Sequence, residues 1–266
     1  MKRFAISRKT LGIPYLLWLI VFVAAPLLVI VFYAFTNGQG LFSLRNLSGF
    51  FTDPNTLGTL GYSIVIAVIS TLVCLLIAYP TAYFLAHSKI KSKAVIIFIF
   101  VVPMWINFSL RISALKEVLT LIEGNLAMYP FLNAIIGMTY DFLPFMILPI
   151  YNTLINLDQS YVEAARDLGA NSAMAFFKVT LPLSLPGIIS GVSMVFLPAM
   201  TNYVVLDMLY NSTYIMGSLI GSYFSAYNWH GGSMISLILL AIIFVFTLAT
   251  GKQGDTNDQM KGGAIL

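Results

Sequence analysis

Apolar runs of eighteen to twenty-five residues alternate with short polar segments along almost the whole chain. Six stand out, at about 12–35, 60–84, 94–114, 132–155, 185–209 and 233–250. About 20 mostly apolar residues suffice for a helix to cross the hydrocarbon of a bilayer. A backbone in lipid must satisfy its own hydrogen bonds, so runs of this length predict helices. Pro26, Pro80, Pro103, Pro144, Pro149 and Pro198 fall inside the runs and predict kinks, which are tolerated where neighbouring helices line a cavity. The run from Leu11 to Phe35 is longer than the roughly 7–15 apolar residues of a secretory leader and lacks a small-x-small cleavage site, so it predicts a retained first span.

Composition agrees with this pattern. The chain of 266 residues is 59% hydrophobic and 9% charged, with a mean hydropathy of +0.90. A soluble domain carries roughly 25% charged residues, and no core of this size absorbs so much apolar surface. The expectation is an all-α integral membrane protein, a bundle of about six transmembrane helices forming a single domain over 1–266. Cys74 is the only cysteine and lies in an apolar run, so neither a disulfide framework nor a thiol metal site is expected. His87 and His230 are too far apart to suggest a metal centre.

Basic residues set the predicted orientation. Lys2, Arg3, Arg8, Lys9, Lys89, Lys91, Lys93, Arg166, Lys178, Lys252 and Lys261 share one side, against Arg45, Arg111 and Lys116 on the other. Eleven against three predicts both termini in the cytoplasm. The net charge of +4 then reports topology, and no nucleic-acid partner is implied. The tail after the sixth run is polar and glycine-rich, and is expected to be poorly ordered at its end.

One segment breaks the apolar pattern with charge. Tyr161 to Pro182 reads YVEAARDLGANSAMAFFKVTLP and lies in the predicted cytoplasmic loop 156–184. Ser160 and Glu163 fit a capping box that starts a helix. Val162, Ala165 and Gly169 follow at i, i+3 and i+7 and predict a narrow small-residue face. Gly169 ends or bends that helix. A second short amphipathic piece follows, and Pro182 then predicts a turn before the fifth span. Small residues let another protein's backbone come close, so the layout predicts a docking element. The bland reading is that Glu163 only caps its helix and that Ala164, Ala165 and Gly169 pack on the chain's own helices.

Glu163-Ala164-Ala165, three residues, Gly169, nine residues and Val179-Thr180-Leu181-Pro182 resemble the EAA loop of ABC importer permeases. The resemblance covers nearly the whole chain, because that family is a bundle of about six helices with this loop before the penultimate span. It implies the type I importer permease fold, with Glu163, Ala164, Ala165, Gly169, Leu181 and Pro182 coupling to a separate ATPase dimer. It also implies a second homologous permease subunit, an extracytoplasmic substrate-binding protein, and residence in the bacterial cytoplasmic membrane. ATP would be bound by the ATPase partner, with no cofactor and no catalytic residue in this chain. Consistently, the sequence contains no G-x-x-x-x-G-K-[ST] phosphate loop. The stretch FLPAMTNYVVLDMLYN, from Phe196 to Asn211, with the later Trp229, is similar to the spermidine/putrescine permeases of the family.

Ionisable residues within spans are costly and mark functional sites by default. Asp207 falls near the outer end of the fifth run, with Tyr203 one turn away and Asn202 beside it. A carboxylate with an aromatic face suits a desolvated ammonium. Asp141, in the fourth run, and Trp105, in the third, are further candidates for a substrate path. For Asp141 a buried pair with Arg111 is the competing expectation, and for Trp105 core packing. Five acidic residues against three basic ones on the outer half give a negative mouth, to which positive-inside topology itself contributes. The expected function is an ABC permease subunit for a small cationic solute, foremost polyamines. A permease for an inorganic anion or amino acid, and an ion-coupled secondary carrier, are the alternatives.

Overall fold

The structure, a computed structural model, describes residues 13–90, 92–209 and 213–262. Lys2, Arg3, Arg8, Lys9 and Lys91, together with 210–212 and the last four residues, lie outside the described part. Its elements are helical, joined by short turns and one isolated β-bridge, Thr36 to Phe42. Contacts group the chain into two compact units. One holds residues up to Gly58 with Ser218–Ile242, the other Thr59–Gly217 with Ile243 onward.

In the first unit, α1 (Ile13–Ala34) is exposed along its apolar length. A π-helical turn, Ile20–Ala24, precedes Pro26. Proline removes a donor and crowds the carbonyl four residues back, and a wider turn at that point relieves both effects. Asn46 Nδ2 donates to the Ala34 and Thr36 carbonyls, each at 3.0 Å, and so holds α2 (Arg45–Thr52) against the end of α1. His230, at the start of α12 (Trp229–Gly262), has Nδ1 3.1 Å from the Tyr33 carbonyl and packs edge-on to the Tyr33 ring. The first turn of α3 (Pro54–His87) is capped by Asp53, whose carboxylate accepts from the amides of Asn55 and Thr56 and from the Thr56 hydroxyl. α2, and α11 (Met216–Ser225), whose residues from Ser218 on complete this unit, are short helices absent from the six-run pattern.

In the second unit two of the six runs are broken, each near one of the prolines expected to kink it. The run 94–114 is not one helix. α4 (Lys93–Val101) and a 3-10 turn, Val102–Trp105, meet α5 (Phe108–Glu123) at a bend of 100°. Pro103 cannot donate a helical bond, and Asn107 takes an extended backbone and starts a new helix by accepting from Ser109 N at 2.9 Å. The run 185–209 also stops early. α9 (Leu185–Ala199) ends in a turn where Thr201 Oγ1 and Asn202 N both donate to the Pro198 carbonyl, and α10 (Tyr203–Met208) begins afresh.

The centre of this unit is α6 (Pro130–Ile155), with Ala134, Met138, Met146, Ile147 and Ile150 fully buried. α9 packs along it, burying Val195 and Ala199. α10 lies on it at Gly137, where an added Cβ would come within 2.5 Å of Leu209 and 2.7 Å of Val205. A side chain at that position would force Val205 and Leu209 to shift. The sixth helix also departs from the expected bounds. α12 starts at Trp229 and stays helical to Gly262, so the polar tail up to that residue continues the helix.

Candidate functional site: the interhelical loop and the α10 face

Between α6 and α9 the chain folds into two short helices, α7 (Ser160–Asp167) and α8 (Ser172–Leu183). The capping differs from the expected box. Asp158, rather than Ser160, supplies the accepting side chain, taking a hydrogen bond from Ser160 N at 2.9 Å. The Ser160 amide, and then its hydroxyl, hold the Asp158 carboxyl below its usual range. Glu163 is left free of a capping duty and stands exposed.

α7 ends in a Schellman turn. Gly169 N donates to the Arg166 carbonyl at 2.9 Å and Ala170 N to the Ala165 carbonyl at 3.0 Å. Gly169 has φ +88°, a conformation that costs a side-chain-bearing residue about 1–2 kcal/mol. Asn171 then starts α8 by accepting from Met174 N at 2.8 Å. Within α8 the segment Phe176–Thr180 is π-helical. Pro182 lies in the last turn of α8, just after the π-helical segment, and the 59° bend before α9 falls two residues later, at Ser184.

The face presented by α7 is not the one expected. Val162 is buried and Ala165 half-buried, so that part of the stripe packs inward, whereas Ala164 and Gly169, which the bland reading also set against the chain's own helices, are exposed. Glu163, Ala164, Arg166, Asp167, Leu168 and Gly169 face outward. Leu168 is 90% exposed, an apolar knob directly after the exposed Arg166 and Asp167. Sequence reasoning missed it, although its position just before the helix-ending glycine and off the Val162/Ala165 stripe was readable. Leu181 is half-buried and Pro182 exposed. The loop is fixed to α3 by Phe176, edge-on to both Tyr79 and Tyr83, and by a 3.0 Å hydrogen bond between Tyr79 OH and Ser184 Oγ. A rigid mount carrying an exposed knob can grip a partner and transmit its movement into the helices.

The second place is α10. Val205 and Leu206 are buried against the unit, while Tyr203 and Asp207, one turn apart, face outward together. The Asp207 side chain makes no hydrogen bond or ion pair among the described residues. Asn202 is half-buried in the turn just before. The structure does not add Asp141 or Trp105 to this face. Asp141 is 3% exposed and pairs with Arg111 at 2.6 Å, so the competing expectation holds there. Trp105 is 76% exposed in the 3-10 turn, with Phe98 as its ring partner.

In the first unit a cavity of about 500 Å³ is lined by Arg45, Asn46, Asp53, Tyr223 and Asn228, among others, none of which the sequence reading selected as a site. Asp53 is held below the usual carboxyl range, first by the Thr56 hydroxyl, and is spent on capping α3.

In the second unit α9 and α10 thus pack on the long apolar α6, and the amphipathic loop before α9 is anchored to α3. Comparison with known proteins identifies the class. Residues 78–251 match the family described as the binding-protein-dependent transport system inner membrane component, and the chain belongs to that family. It is 36% identical over 255 residues to the spermidine/putrescine transport system permease protein PotB of Haemophilus influenzae, covering 86% of this chain and 89% of that protein. Identity to PotB of Escherichia coli is 33% over 254 residues, covering 87% and 92%. A PotB homolog of Mycoplasma genitalium is 31% identical over 196 residues, 68% of each chain. The fold is also that of a chain from a bacterial ABC transporter that imports the acidic polysaccharide alginate, with a TM-score of 0.73 at 13% identity over 93% of this chain and 94% of that one.

Proposed function

We propose that this chain is the membrane-spanning permease subunit of an ATP-driven importer of polyamines, spermidine or putrescine. The observation that carries the substrate is identity of 33–36% to polyamine permeases over 86–87% of the chain. The outward pair Tyr203 and Asp207 supplies suitable chemistry, a carboxylate without a partner among the described residues and an aromatic face one turn away.

The loop 156–184 is the coupling surface. A separate ATPase dimer grips Leu168 with Arg166 and Asp167, and its closure on ATP moves α7 and α8 as one mount. Glu163, Ala164 and Gly169 form part of the contact, with Ala165 supporting it from behind and Leu181 and Pro182 at its far end. Energy comes from ATP held by that partner. An extracytoplasmic binding protein delivers the solute, a second homologous permease completes the path, and both termini lie in the cytoplasm.

The test is uptake of labelled spermidine and putrescine in a bacterium lacking its own polyamine importers, with this chain expressed alongside its cognate ATPase, permease and binding protein. Uptake should require every component and stop when the ATPase is inactivated. Uptake of neither polyamine by a fully assembled complex overturns the substrate, and uptake that persists without the ATPase overturns the energy source.

A further inference from the structure

Arg111, on the first turn of α5, and Asp141, on α6, are 92% and 97% buried and lie 2.6 Å apart. Twelve residues beyond Arg111, Glu123 Oε2 accepts from Asn133 Nδ2 at 2.9 Å, and the same amide group also donates to the Leu126 carbonyl at 3.1 Å. Thus α5 and α6 are joined by polar contacts at both ends of their antiparallel overlap. Gly137 lies midway between Asn133 and Asp141 on α6, and Gly137 is where Val205 and Leu209 seat α10. α10 also packs on α5. The helix that carries Tyr203 and Asp207 therefore rests in the angle of a pair that Arg111 and Asp141 close.

We propose that Arg111 and Asp141 are positioning residues for translocation: their ion pair clamps α5 to α6 and thereby sets the position of α10, without meeting the solute. The chemistry favours a closed clamp. Opening the pair would leave two charges in apolar surroundings, which is far more costly than keeping them joined. The 100° bend at Ile106 and Asn107 leaves α5 with no straight helix behind it, so α6 is what holds its first turn. The clamp also explains why Asp141 is absent from the outward face. Its carboxylate already holds a cation, the guanidinium of Arg111.

The inference rests on the transport reading for its uptake arm only. A spin label at Met208→Cys, the end of α10, and a control label at Ser172→Cys are placed in the assembled complex in a Cys74→Ser background. Arg111→Leu and Asp141→Leu are made singly, and a double variant exchanges the two residues, Arg111→Asp with Asp141→Arg. Each single variant should raise label mobility at 208 several-fold with little change at 172. The double variant, which remakes the ion pair, should return mobility at 208 to the parental value. It should also carry spermidine at a rate within about threefold of the parent with KM unchanged. If the single variants fail to assemble, recovery of assembly in the double variant is the readout.

Unmoved labels in both assembled single variants, or a double variant that does not recover, overturn the clamp. A double variant whose KM rises tenfold or more shows that Asp141 meets the solute and overturns the proposal in another way. If the parent carries no polyamine, the functional reading falls while the labels still decide the clamp.

Discussion

Phe176 stands at 90° to Tyr83 with ring centroids 5.2 Å apart, and this contact joins the loop to α3. Tyr79 meets the same ring at 5.9 Å and 81°. Aromatic pairs of this kind contribute about 0.5–1.5 kcal/mol each beyond the area they bury. Phe176→Ala should therefore loosen the mount by about 1–3 kcal/mol while leaving Leu168, Arg166 and Asp167 intact. The expected outcome is an ATPase complex of near-normal yield whose hydrolysis no longer drives uptake. Phe176→Leu should fall between the two. Parental coupling in the alanine variant would show that the mount lies elsewhere.

Gly169→Val tests the turn. An added Cβ meets nothing within 4 Å, so the damage comes from the backbone at φ +88° and not from a clash within the chain. The conformation disfavours a β-branched residue most and asparagine least among non-glycines. Transport should be abolished in Gly169→Val with the protein still inserted, and Gly169→Asn should keep a measurable fraction. Co-purification with the ATPase, compared across the three proteins, checks this.

Orientation is tested by labelling. Ser92 and Ser172 are both exposed, and Cys74 is buried. Single cysteines at the two serines in a Cys74→Ser background should react with an impermeant thiol reagent only from the cytoplasmic side. Reaction of either in intact spheroplasts would invert the topology and remove the loop from any ATPase.

Asp207 is tested by charge. Loss of one charge-assisted hydrogen bond costs roughly 1.5–3 kcal/mol, about ten- to a hundredfold in an equilibrium. Asp207→Asn should lose uptake on that scale at normal complex yield, and Asp207→Glu should retain more. Equal uptake by both variants and the parent would remove this residue from solute selection.

Much of the architecture was legible because lipid imposes a length on apolar runs. The runs at 132–155 and 60–84 lie inside single long helices, α6 and α3. What could not be read was where an apolar run breaks. Pro103 with Asn107, and Pro198 with Thr201 and Asn202, end helices through local hydrogen bonds, while hydropathy continues unchanged across them. Pro144 and Pro149 lie inside a helix that continues, so proline alone does not announce a break. In the loop, Gly169 was readable from its chemistry, but the outward side of α7 was not. Of the stripe read as a docking face, Val162 is buried and Ala165 half-buried, while Gly169 and its neighbour Leu168 are exposed. The pairing of Asp141 was open between two readings, because sequence spacing cannot tell which helix faces another.

The Arg111–Asp141 pair also bears on how the chain enters the bilayer during synthesis. A lone arginine or aspartate facing hydrocarbon is costly, by up to roughly 2.5–3.5 kcal/mol at a helix centre on insertion scales. α5 emerges first with its arginine unmatched, and the aspartate of α6 follows thirty residues later. The two segments are best released into lipid together, as a hairpin whose charges neutralise each other before either faces hydrocarbon. The insertion machinery must then retain α5 until α6 arrives, so a chain truncated between Glu123 and Asp141 would be held back or degraded.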